Sequence, residues 1–135
     1  MSHQVLQPTG WARPSGYANG VAARGRQVFV AGQVGWDGDC RFHSARLADQ
    51  VRQALSNIVA VLAEAGAGPE HLVRLTWFIT NRHEYHVELK EIGAAYRAVI
   101  GRNFPAMSVV QVAALIEEGA KVEIEATAVV PDTGS

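Results

Sequence analysis

Apolar and polar residues alternate most strictly near the carboxyl end of the chain. Between Lys121 and Val130, Val122, Ile124 and Ala126 fall on one face of an extended segment, and Lys121, Glu123, Glu125 and Thr127 on the other. Asn103 to Leu115 is a second apolar, extended stretch, and a short polar turn at Glu117 to Gly119 joins the two. Further upstream, Tyr17–Ala23 and Gln27–Gly32, separated by Arg24-Gly25-Arg26, read as a hairpin. Asp37-Gly38-Asp39 gives Gly35–Phe42 the chemistry of a loop. The period then changes. From Ser44 to about Ala65, Leu47, Val51, Leu55, Ile58 and Leu62 recur at steps of three and four, predicting a helix that Gly66 caps and Gly68-Pro69 ends. His71–Thr80 returns to alternation, with Val73, Leu75, Trp77 and Ile79 on one face. A second helix is predicted from about Glu84 to Ile100 on the stripe Tyr85, Leu89, Ile92, Tyr96 and Val99 or Ile100, closed by Gly101.

The resulting order, β-β-α-β-α-β-β, predicts an α+β domain with a mixed sheet and both helices on one face. Val28-Phe29-Val30-Ala31 and Val109-Val110 with Val112 carry apolar residues on both faces of their strands, so the face without helices calls for another subunit. One domain accounts for the 135 residues, with loose ends at about 1–9 and 131–135. A formal charge of −1 is a poor footprint for nucleic acid, which asks for a basic stripe. With Cys40 as the single cysteine, no internal disulfide can form. No run approaches a membrane span and no charged-then-apolar leader opens the chain, so a cytoplasmic location and no membrane partner are expected.

Phe104-Pro105-Ala106-x-Ser108, Val112-Ala113 and Val122-Glu123-Ile124-Glu125-Ala126 resemble the carboxyl-terminal signature of the Rid family of reactive-intermediate deaminases, also called YjgF or endoribonuclease L-PSP. Val28 to Gln33, ending Ala-Gly-Gln, looks like the family's second strand, Gln50 to Gly66 like its first helix, and Gly16-Tyr17 like its amino-terminal aromatic. The resemblance implies a chorismate mutase-like fold and a homotrimer whose sheets form a central barrel, with small-molecule sites in clefts between subunits. It also implies hydrolysis of small imines or enamines to a carbonyl compound and ammonia, without cofactor. Glu123 then stands where the family holds or activates the attacking water, and Tyr17, Gly32, Met107 and Val109 stand around the substrate. Met107 is a departure, since the family's deaminases carry an arginine there to grip the substrate carboxylate. Gly93 falls where some members place a polar residue.

Each of these residues also has a plain structural reading. Glu123 can be a strand carboxylate paired with Lys121 or an arginine, and Glu125 suits an interface salt bridge. Tyr17 can be an ordinary sheet aromatic, Gly32 a bulge, and Trp36 a surface or interface side chain. Met107 either faces the cleft, where a ligand carboxylate would need Arg102, Lys121, Arg13, Arg24 or Arg26 instead, or simply fills space. His83-Glu84-Tyr85-His86 lacks the spacing of a metal-binding helix and reads as surface, and Cys40 has no adjacent histidine to activate it. No metal is expected. The alternative to a hydrolase is a trimeric small-ligand-binding or regulatory module that keeps the clefts and has lost the deaminase chemistry.

Overall fold

The computed structural model describes residues 3–132. Six strands and three α-helices follow one another as β1 (His3–Leu6), β2 (Gly20–Ala23), β3 (Arg26–Val34), α1 (Leu47–Glu64), β4 (Leu72–Ile79), α2 (Arg82–Val87), α3 (Leu89–Val99), β5 (Ala106–Gln111) and β6 (Val122–Val130), with a 3-10 turn at Pro69–His71 leading into β4. The main sheet has the order β3-β6-β4-β5, antiparallel except for the parallel pair of β4 and β5. This is the α+β mixed sheet that the alternation of periods predicts.

The helix stripes are where the spacing puts them. Leu47, Val51, Leu55, Ile58 and Leu62 of α1 are all buried, against Leu75, Trp77, Val122 and Ile124 among others from the sheet. Gly66 takes φ +68 just beyond α1, and the amide of Ala67 closes back on the Leu62 carbonyl at 3.0 Å, so the predicted cap forms. Gln50 is 1% exposed yet fully used: its amide donates to the carbonyls of Ser44 and Gly119, and its oxygen accepts from the Lys121 amide. It ties the first turn of α1 to the loop that enters β6.

Four features differ from the sequence expectation. β2 does not form a hairpin with β3; it pairs with β1 in a separate two-stranded ribbon, so part of the stretch read as a loose end is strand. β5 and β6 are not neighbours either, because β4 lies between them. The second helix breaks at Glu88 (φ −97, ψ 14), whose carboxylate instead accepts from the Ala48 amide at 3.0 Å. α1 has no side-chain cap of its own at Arg46, so this acid satisfies one of its free amides and complements the positive end of its dipole. Finally, a register shift at Val73 moves the buried set of β4 to Leu72, Leu75, Trp77 and Ile79.

The other face of the sheet carries no helix. Phe29 on β3 is 71% exposed and Val110 on β5 is 44% exposed, and Phe78, Thr76 and Arg74 of β4 point the same way as Glu123, Glu125 and Thr127 of β6. Among the described residues no helix is long and apolar enough to cross a membrane.

Candidate functional site

Glu123 sits near the middle of the main sheet, on the face without helices. It is half-buried, paired in register with Val34 of β3 on one side and Phe78 of β4 on the other. Between Val30 and Gln33 the β3 strand bulges, so that Ala31 and Gly32 together stand opposite one residue of β6. The carboxylate of Glu123 lies in the space this leaves: a Cβ built on Gly32 would be 2.2 Å from its Oε2. Only a residue without a side chain lets the acid occupy that position. Lys121, one expected partner, is held by Glu84 at 2.8 Å, and among the described residues Glu123 makes no ion pair. Glu125 is exposed one step further along the same face.

The remaining candidates gather at the opposite edge of the sheet. Met107 and Val109 of β5 are paired with Leu75 and Trp77, which places them on the helix side of the sheet, across it from Glu123. Met107 packs against the core and lines a pocket of about 260 Å³ between β5 and α3, together with Trp77, Ile92, Tyr96 and Phe104. Arg97 and Gly93 of α3 line the same pocket. Trp77 is almost wholly buried and its Nε1–H has no hydrogen-bond partner among the described residues, a state that costs about 1–3 kcal/mol when nothing accepts the proton. Burial raises the pKa of the Tyr96 hydroxyl well above that of an ordinary phenol, and it donates to the Asn103 carbonyl.

Tyr17 borders a neighbouring pocket of about 360 Å³ with Arg13, Arg102 and Phe104. Its segment is anchored to the start of β5, where the Ala18 amide donates to the Pro105 carbonyl at 3.0 Å. Phe104 stacks on Tyr96 with centroids 5.6 Å apart and borders both pockets. Of the expected site residues, then, Gly32 and Glu123 come together, and Tyr17, Met107 and Val109 cluster around β5. Within one chain Met107 and Val109 lie on the face of the sheet opposite to that of Glu123.

A family model described as Endoribonuclease L-PSP matches residues 11–130, nearly the whole chain. The chain belongs to this family, the Rid family.

The Rid assignment is supported by relatives and by structures. The human protein named 2-iminobutanoate/2-iminopropanoate deaminase is 30% identical over 105 residues, covering 77% of this chain and 73% of its own. A RutC family protein of Synechocystis is 32% identical and matches 97% of this chain and 99% of its own. The crystal structure of the Rid family protein YyfB of Yersinia pestis superposes with a TM-score of 0.84 at 33% identity, over 96% of this chain and 100% of that one. RidA of an Antarctic Psychrobacter gives a TM-score of 0.68 at 26% identity, over 94% and 99%.

Several other readings of this Rid chain now have a place. Trp36 packs on Phe42 inside its own loop, with centroids 5.6 Å apart, and borders neither the Met107 nor the Tyr17 pocket. Cys40 is exposed in that loop at φ +61, and His83 and His86 are exposed. Among the described residues no group of three or more His, Cys, Asp or Glu could hold a metal ion. Of the cations proposed as substitutes for an arginine at 107, Arg13 and Arg102 lie beside Tyr17 and Arg26 is bonded to the Ala65 carbonyl at 2.8 Å. The cation that does share the pocket of Met107, Arg97, is not in that set. Its only sequence signal is its place four residues after Gly93, one helical turn away.

Proposed function

We propose that this Rid protein hydrolyses small imines, with Glu123 positioning the water. The observation that carries the reading is the carboxylate seated over Gly32 in the β3 bulge, half-buried and free of any ion pair among the described residues. A carboxylate so placed is free to accept a hydrogen bond from water and to orient its oxygen toward an electrophilic carbon. The water oxygen adds to the imine carbon and a proton passes to the nitrogen. The new hydroxyl then gives up its proton to the nitrogen as the C–N bond breaks, leaving the carbonyl compound and ammonia. Imines are electrophilic enough that this sequence calls for no cofactor. The human relative's name supports the class of substrate.

The working unit in this proposal is a homotrimer. Phe29, Phe78 and Val110 give the helix-free face an apolar surface suited to burial against other copies. Because Met107 and Glu123 are on opposite faces of one sheet, the two can act on the same ligand only where Glu123 of one copy meets the β5 edge of the next. A second reading, a binding module without turnover, is favoured by Met107 itself, whose packing against the core beside Trp77 and Tyr96 fits a filler as well as a site residue.

The test is ammonia release from imines generated in solution from polar and apolar amino acids, with oligomeric state measured in parallel. The hydrolase reading expects acceleration by the native protein and none by Glu123→Gln. A trimer with no acceleration on any imine would leave the binding module. Turnover unaffected by Glu123→Gln would remove Glu123 from the mechanism.

A further inference from the structure

The hollow beside Tyr17, about 360 Å³ in volume, is lined by two cations and no anion. Arg13 comes to it from the segment ahead of β2 and Arg102 from the turn between α3 and β5, and both residues are exposed. Among the described residues neither makes an ion pair. Glu70 borders a different hollow that Arg102 also lines, and its ion pair is with His71 at 3.9 Å. Both cations stand on braced backbone. The side-chain amide of Gln7 donates to the carbonyls of Trp11 and Ala12 at 3.2 Å each, and its oxygen accepts from Asn19 at 2.9 Å, which closes the loop carrying Arg13. Arg102 follows Gly101, whose φ of +75 turns the chain out of α3, and the Asn103 side chain donates back to the Ile100 carbonyl at 2.8 Å across that turn. Much of the remaining wall is apolar and open to solvent: Tyr17 is 41% exposed, Phe104 38% and Val5 63%.

Two guanidiniums lining one hollow repel each other until an anion comes between them. A carboxylate has two oxygens and one charge, which a single planar fork satisfies. A phosphate monoester has three terminal oxygens and a charge of about −1.5 to −2 at neutral pH, enough to engage a fork on either side. Phe104 and Tyr17 supply exposed ring surface for a flat apolar group attached to that phosphate. We infer that this hollow binds a phosphate monoester with a flat, apolar organic part, Arg13 and Arg102 sharing the phosphate and Tyr17 and Phe104 taking the ring. Met107 does not line the hollow, and neither does Glu123 or Gly32. The inference therefore makes no use of imine hydrolysis, and binding alone tests it.

The probe is phenyl phosphate, titrated near neutral pH into the full-length, nitrogen-15-labelled protein and followed by NMR. Benzenesulfonate, of the same shape but with one charge, and inorganic phosphate, which lacks the ring, are the comparisons. Phenyl phosphate is expected to shift the Tyr17 and Ala18 amides in a saturable way, and to bind at least about ten-fold more tightly than either comparison. Arg13→Gln and Arg102→Gln should each weaken phenyl phosphate by about ten-fold and bring it close to benzenesulfonate, with thermal unfolding unchanged. Arg52→Gln, at an exposed position on α1, should leave the affinity as it is. Glu123→Gln should bind phenyl phosphate like the native protein even where it abolishes ammonia release. Phenyl phosphate binding no better than benzenesulfonate, or no better than inorganic phosphate, would overturn the inference. So would an affinity indifferent to both arginine substitutions, or no saturable shift at Tyr17 and Ala18, the result expected if a carboxylate of a second copy fills the hollow.

Discussion

Gly32→Ala separates the proposed chemistry from the fold with a single methyl group. The added Cβ would arrive 2.2 Å from Oε2 of Glu123 and 2.8 Å from its carboxyl carbon, whereas ordinary contacts begin near 3.4 Å. The obstacle is the end of a flexible side chain, so the strand can keep its place while the carboxylate retreats by about 1 Å. Gly32 is not among the glycines with positive φ, so alanine meets no backbone strain there. Stability should therefore change by no more than about 1 kcal/mol. A water-positioning group displaced by about 1 Å loses on the order of 100-fold in rate. The assay is kcat for ammonia release from an aliphatic imine, alongside thermal unfolding of the same preparation. Native-like turnover in a stably folded Gly32→Ala protein would refute the idea that the seat over Gly32 is the working position of Glu123.

Other substitutions give different outcomes. Gly25→Ala places a Cβ 2.1 Å from the Val130 carbonyl oxygen at φ +146, and backbone cannot retreat as a carboxylate can; a loss of about 2–4 kcal/mol is expected in denaturant unfolding. Gln50→Leu strands the Lys121 amide and the Gly119 carbonyl beside a buried apolar group, and should cost about 2–4 kcal/mol by the same measurement. The phenols of Tyr85 and Tyr96 have folded-state pKa values raised by burial, so the unfolded chain gives up those protons first as pH rises. Their contribution is complete below the ordinary value of 10.0 and is lost above it, and Tyr96→Phe should flatten the fall in stability between pH 9 and about 11.

How much of this was legible beforehand follows from the range of each interaction. The stripe of α1 and the alternation of β6 are local and periodic, and both stand as read: Leu55 and Ile58 are buried, and Glu123 and Ile124 face opposite ways. Which strands pair is not a local property. The polar turn between β5 and β6 looks like that of a hairpin, yet β4, more than forty residues away from β6, takes the intervening place. β1 is four residues long, too short for alternation to register, and β2, legible within Tyr17–Ala23, takes β1 rather than β3 as its partner. The break at Glu88 depends on the amino end of α1, which no window around residue 88 contains. At the site, the family pattern pointed to Glu123 and Gly32, and the chain brings those two into contact. It gave no hint that Arg97 borders the pocket of Met107, a neighbourhood set by the tertiary placement of α3.

The measurement that bears most directly on a site shared between copies is complementation. Glu123→Gln and Met107→Glu proteins, each first shown to be inactive in ammonia release, would be mixed, dissociated and reassembled. If each site takes Glu123 from one subunit and the β5–α3 pocket from its neighbour, random reassembly should restore roughly a quarter of the native sites. If both groups serve a ligand within one chain, every site in the mixture keeps one defect, and activity that stays at the level of the separate variants would contradict the account.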